Sequence, residues 1–319
     1  MKYKGKNSFR RISILLLAVL LLFAEPAGAA LPGPNASITA ARLLKLAKKY
    51  DKSAYSLLAS YKNSGHSLLA WAGGRSRLTE VMDVTTHETC HAYMHGTTIG
   101  TRYYIGNGRT IQVTHSKIFR SKKMANSIPK ALRTFRYSTY VGKPISNLGS
   151  DVSGIYGLMN EFTAYFWGMH VNNAMIPYYE KYCTNFEVLR DYLLGCENNK
   201  MAYSEFRYYM LHYLYYAKKH HPDVYRGILR NTKFRKVYKL IEGKFTAQIR
   251  KYEKELERLK TVLKKKGYIL IYTDENILIY DGNASLYEFG LGRFTSDYNK
   301  LIKACAQSKY KTIEKKLKS

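Results

Sequence analysis

Acidic residues are scarce in this chain of 319 residues: 23 Asp and Glu face 52 Lys and Arg, a formal charge of +29. Such an imbalance implies attraction to polyanions and is silent on fold. Tryptophan is nearly absent, with two residues against thirty tyrosines. No segment repeats with a period of 20–50 residues, which argues against a solenoid or propeller. No nucleic-acid motif accompanies the basic stretches, so nucleic acid is not the expected partner. No apolar run is long enough to cross about 30 Å of hydrocarbon at 1.5 Å per residue. What is present is 46% apolar residues, enough to bury a sizeable core and to exclude wholesale disorder or a collagen-like chain.

The N-terminus reads as a targeting segment. Lys2, Lys4, Lys6, Arg10 and Arg11 precede the apolar run from Ile12 to Ala24, and Ala27-Gly28-Ala29 supplies small residues for cleavage. Residues 1–29 are therefore expected to be a secretory signal peptide, and the protein to be secreted. Its removal leaves a charge of about +25, so the basic character belongs to the exported chain. Four cysteines allow three pairings. Cys183 and Cys196 enclose twelve residues and form the expected disulfide. Cys90 reads as a small buried hydrophobe and Cys305 as a free thiol.

Periodicity predicts a largely helical α+β chain with short hairpins. Helices are expected over 38–62, Thr79–His95, Ser153–Val171, Ser204–Lys219, 234–266 and from Ser296 onward. Tyr103–Ile105 and Arg109–Val113 flank Gly106-Asn107-Gly108 and read as a hairpin, as do Tyr268–Tyr272 and Ile277–Tyr280. The tyrosines of the 204–219 helix suit a core or interface. A composition shift at 225–235 suggests a domain of residues 30–230 followed by a basic region, 231–319, of helix, hairpin and helix.

One constellation carries chemistry. His87-Glu88-Thr89-Cys90-His91 is an HExxH motif within a predicted helix. Residues four apart share a helix face, so both imidazoles can reach one metal ion, with Glu88 beside it to act on a bound water. His95 stands eight residues from His87, about 12 Å along the axis, and cannot join it on one ion. Glu161 is the candidate third ligand: it is the only Asp, Glu, Lys or Arg in the 28 residues from Val152 to Tyr179. A lone carboxylate in an apolar segment is costly to bury unless paired or bound to metal. The alternative is a salt bridge to an arginine of the 116–136 loop. Gly157, Glu161, Ala164 and Gly168 share a stripe of small residues that would let another helix approach.

These motifs resemble the gluzincin class of zinc metallopeptidases. The matching pieces are His87–His91 and the downstream Asn160-Glu161, within residues 78–170. The metzincin pattern does not fit, because Met94 and Thr97 stand where it needs Gly and His. The resemblance implies a zincin-like core in which His87, His91 and Glu161 hold Zn2+ and Glu88 is the general base for peptide hydrolysis. Tyr165 occupies a position where thermolysin-like members often carry Asp, so the support of a zinc histidine must differ. Tyr156 is the candidate catalytic donor to a developing oxyanion, with Tyr165 and His170 also nearby in sequence. The Tyr103–Val113 hairpin offers an edge for an extended substrate.

The expected function is thus a secreted zinc metallopeptidase acting on a peptide or protein substrate. Its basic surface is expected to associate with an anionic envelope polymer or membrane surface. The competing reading is a secreted binding or structural protein whose metal site is not catalytic.

Overall fold

The computed structural model describes residues 37–75, 77–94, 99–182, 186–265, 267–273, 276–280, 286–290 and 294–319. The expected signal peptide, His95 and Cys183 lie outside these residues. Ten helices and two small antiparallel sheets form a predominantly helical α+β fold among the described residues.

Asp51 divides the first helical stretch. Its Oδ1 accepts the amides of Ser53 and Ala54, capping α2 (Lys52–Asn63) and ending α1 (Ala40–Tyr50). Its Oδ2 pairs with His170 Nδ1 at 2.6 Å, which ties this corner to the long helix α5 (Gly154–Tyr182). α5 is apolar over most of its surface, and none of its residues before Pro177 is exposed. Leu158, Met159, Phe162, Phe166 and Trp167 are almost fully enclosed. Around it pack α3 (Leu78–Met94), α6 (Phe186–His220) and α8 (Thr232–Lys265).

The first hairpin pairs β1 (Gly100–Gly106) with β2 (Arg109–Thr114). Asn107 and Gly108 both adopt positive φ, 52° and 70°, as a two-residue turn between twisted strands requires. A short helix α4 (Gly149–Val152) leads into α5, whose first residue, Gly154, has φ +52°. A Cβ there would stand 2.6 Å from the Phe119 carbonyl oxygen and 2.7 Å from the Tyr213 hydroxyl, so only glycine fits. After α7 (Pro222–Arg230) comes α8, and then a sheet in the order β3 (Ile269–Tyr272), β4 (Asn276–Tyr280), β5 (Leu286–Gly290). Helices α9 (Phe294–Cys305) and α10 (Ser308–Lys318) complete the chain.

The core runs on across the composition shift at 225–235, which falls on the α7–α8 junction. Phe234 meets the Tyr156 ring at 5.0 Å and Phe245 meets Phe162 at 5.2 Å. α10 is locked to α6 by Arg207 and Glu314 at 2.6 Å and by the Tyr310 hydroxyl, which donates to His212 Nδ1 at 2.7 Å. Tyr208, Tyr209 and Tyr213 of α6 are buried, as their spacing suggested. Among the described residues no helix is long and apolar enough to cross a membrane.

Three sequence expectations need correction. α5 and α6 are longer than the apolar pattern, because their polar residues bond to other helices: Asn173 Nδ2 donates to the Gln248 carbonyl, and Arg136 donates to Asn198 Oδ1. Cys196 is a free buried thiol, so the Cys183–Cys196 disulfide is not formed. The small-residue stripe on α5 serves two neighbours instead of one. Gly157 faces Gly149 and Ser150 around α4, whereas Gly168 faces Asp83 of α3.

A Cβ at Gly168 would lie 2.2 Å from Asp83 Oδ1, while one at Gly243 on α8 would meet nothing within 4 Å. Gly168→Ala is therefore expected to lose about 1–3 kcal/mol by overpacking. Gly243→Ala should gain up to about 1 kcal/mol from helix propensity. Urea unfolding of the two variants checks both signs.

Candidate metal centre

α3 and α5 cross where the two sequence motifs lie. His87 and His91 stand one turn apart on α3, with their Nε2 atoms 3.0 Å from each other. Glu161 projects from α5 and places Oε2 3.3 Å from His91 Nε2 and 3.9 Å from His87 Nε2. The three ligand atoms all fall within 4.8 Å of one another. Glu161 Oε2 is buried and has no hydrogen-bond donor. A carboxylate oxygen left in that state is costly, and a cation between it and the two imidazoles removes the cost. The arrangement thus brings the expected ligands together, and the salt bridge to the 116–136 loop is not made: Arg136 pairs with Glu205 instead, at 2.8 Å.

The histidines are oriented by different partners. Asn160 Oδ1 lies 2.5 Å from His91 Nδ1 and accepts its proton, leaving Nε2 free to face the centre. Asn160 entered the sequence argument only as half of a motif; its role as a support becomes visible in the fold. The Tyr165 ring stands edge-on to His87, with centroids 4.4 Å apart. Behind Tyr165 sits the Arg136 guanidinium, 4.6 Å from the ring centre and itself buried. Tyr165 therefore supports His87 by packing where an acidic partner would hold it by a hydrogen bond.

Electrostatics separate the two imidazoles. Burial holds His87 well below its ordinary pKa, with His91 and Arg136 adding to the effect. Burial also pulls His91 down, but the Glu161 carboxylate, the bond to Asn160 and the charge of Glu88 outweigh it and carry it to about 9. Burial raises the Glu88 carboxyl and Glu161 adds to this, while His91 and Arg75 oppose them. A carboxyl raised in this way is suited to both accepting and returning a proton.

A cavity of about 640 Å3 opens beside His87 and Glu88. α3 contributes Thr79, Asp83 and Val84 to its wall, α6 contributes Leu194, Gly195 and Asn198, and Tyr140 and Tyr165 also line it. Tyr140 sits on a single turn of π-helix, Ser138–Gly142, and its hydroxyl lies 3.2 Å from that of Tyr165. No residue of the β1–β2 hairpin lines this cavity, so the expected edge for substrate is not where the cavity lies.

Two further expectations are displaced. Tyr156 is fully buried, and its hydroxyl accepts the Ser116 amide at 3.0 Å and Asn231 Nδ2 at 3.2 Å. It anchors the chain after β2 and does not line the cavity, so the catalytic role expected of Tyr156 is withdrawn. His170 is committed to Asp51. Tyr140 and Tyr165 are the tyrosines at the cavity; Tyr165 stood out in the sequence by its place four residues after Glu161, whereas nothing there separated Tyr140 from the other tyrosines.

The donor set, two imidazole nitrogens and one carboxylate oxygen, could hold a metal ion. Compared with protein-family models, curated proteins and solved structures, the chain matches none.

Asn160→Ala is expected to weaken metal binding about 10- to 100-fold, and Glu161→Ala to abolish stoichiometric binding, in competition titrations with a chromogenic chelator. A second prediction concerns Asp83, whose Oδ2 accepts Asn172 at 2.8 Å and Asn199 at 3.0 Å. Burial lifts its carboxyl from 3.8 to about 6. A raised acid costs the native state nothing below the unfolded value, and the cost is complete above the folded one. Asp83→Asn should therefore gain about 1–3 kcal/mol on the parent between pH 4 and pH 8, read from urea midpoints.

Proposed function

We propose that this protein is a zinc-dependent metallopeptidase. The observation that carries the reading is the orphaned Glu161 Oε2, buried against two histidine Nε2 atoms while Glu88 stands at the wall of the adjoining cavity. Metal binding alone makes no use of Glu88, whereas hydrolysis does. The gluzincin-like order of HExxH followed by Asn-Glu supports the same reading.

A zinc ion held by His87, His91 and Glu161 supplies Lewis acidity toward water and a substrate carbonyl. The protein's own groups do the rest. Glu88 removes a proton from the attacking water and returns it to the leaving amine, a cycle favoured by its raised pKa. Tyr140 and Tyr165 are held protonated by burial, and the Glu161 charge adds to this at both. One hydroxyl donates to the other across 3.2 Å, which leaves one proton of the pair available to a developing oxyanion. The cavity between α3 and α6 receives the substrate chain, and its volume suits a few residues of a peptide.

Glu88→Gln keeps the shape of the side chain and removes its basicity. Cleavage of a fluorogenic peptide library is expected to fall at least about 100-fold, with bound zinc unchanged at one per chain. Equal cleavage by both forms would overturn the peptidase reading and leave a binding protein with a metal site.

A further inference from the structure

Three acid-poor segments hold about two thirds of the chain's excess charge. Residues 116–150, 206–241 and 306–319 carry 22 Lys and Arg against two carboxylates, Asp223 and Glu314. They are far apart in sequence, and the fold brings parts of all three to one face. Lys117 Nζ reaches Asp223 at 2.7 Å. The Phe119 ring stacks on Tyr213 at 4.1 Å and meets His221 at 4.9 Å. Lys219 and Lys309 approach the Tyr215 ring from two helices, at 4.9 and 5.1 Å. Lys316 stands 6.0 Å from Tyr225, and Arg235 donates to Ser319 Oγ.

The face is basic at its surface and not merely in composition. Lys117, Lys123, Lys218, Lys219, Lys309 and Lys316 are all exposed. Glu314 is buried against Arg207, and Asp223 offsets Lys117 alone, so the other five exposed lysines keep their charge. The hydrogen bond from Lys219 and the charges of Lys219, Lys309 and Lys218 bring the half-buried Tyr215 phenol below its ordinary pKa. No exposed large apolar side chain lies between 206 and 241 or between 306 and 319.

We propose that this face adsorbs the protein to an anionic phospholipid surface through headgroup phosphates. Lysine ammonium is a hydrated point charge without fixed geometry and suits mobile headgroups, whereas the guanidinium fork suits a fixed phosphate. Phe135 and Ile145 of the first segment are exposed, but the 206–241 and 306–319 segments that carry most of these lysines offer no large apolar side chain to insert, so the contact there is electrostatic and reversible. None of these lysines lines the cavity beside His87, so the cavity's wall is not part of the contact. The proposal is independent of the peptidase reading.

Co-sedimentation of the protein with vesicles tests it. Binding is expected to phosphatidylcholine vesicles containing about one third phosphatidylglycerol, and not to phosphatidylcholine alone. It should be lost in about 0.5 M salt, where screening shortens the reach of each charge. The triple variant Lys219→Gln, Lys309→Gln, Lys316→Gln should bind about 100-fold more weakly, at about fivefold per lysine. The control Lys45→Gln, Lys48→Gln, Lys62→Gln removes the same charge from α1 and α2 and should bind within about fivefold of the parent. All six side chains are exposed, and thermal melts verify that both variants fold. Equal weakening in the two variants, or equal binding to neutral vesicles, would overturn the proposal. So would a preference for duplex DNA or inorganic polyphosphate over anionic vesicles at matched phosphate.

Discussion

A carboxylate oxygen buried without a donor is the constraint around which this molecule is built. Several other buried acids in the fold are satisfied by protein groups, although Glu197 Oε1 also lacks a hydrogen-bond partner. Glu205 takes Arg136, its backbone amide and Thr134, and Asp151 takes Arg120 and the Lys122 amide; the half-buried Asp83 takes two side-chain amides. Glu161 Oε2 has only the two imidazole nitrogens opposite. An unpaired ion in such a place costs several kcal/mol. A proton on His91 meets part of that demand, which is why Glu161 drives that imidazole upward. A divalent cation meets all of it.

The surrounding helices are placed by the same requirement. α3 reaches α5 closely because Gly168 leaves room for Asp83, and the amides of Asn172 and Asn199 receive the carboxylate. One turn further along α3 the chain presents His87, and another turn brings His91 against Asn160. On the far side the Glu205–Arg136 pair supports Tyr165, and Tyr165 supports His87. Buried polar groups thus form a connected frame from α6 to α3. Excess positive charge is kept outside this frame, on the ends of α6 and α10, where water solvates it.

Much of the site was legible in the sequence, for identifiable reasons. The HExxH spacing matches the helical repeat, and a local rule of that kind needs no tertiary information. Glu161 was visible as the one charge in an apolar stretch, where burial makes any carboxylate conspicuous. Tyr156 was misread because sequence distance from Glu161 says nothing of which side of α5 a residue faces. The lengths of α5 and α6 were underestimated because Asn173 and Asn198 look like loop residues until their partners are known.

Sequence alone determined which side chains share the His87–His91 side of α3, where the turn between β1 and β2 falls, and how far positive charge exceeds negative. Each follows from local geometry or composition. Only the tertiary structure decided that Asn160 orients His91, that Tyr140 and Tyr165 stand at the cavity, and that three distant basic segments share one face. Those relations join residues separated by tens of positions, and they are set by which helix surfaces pack together to bury the apolar core.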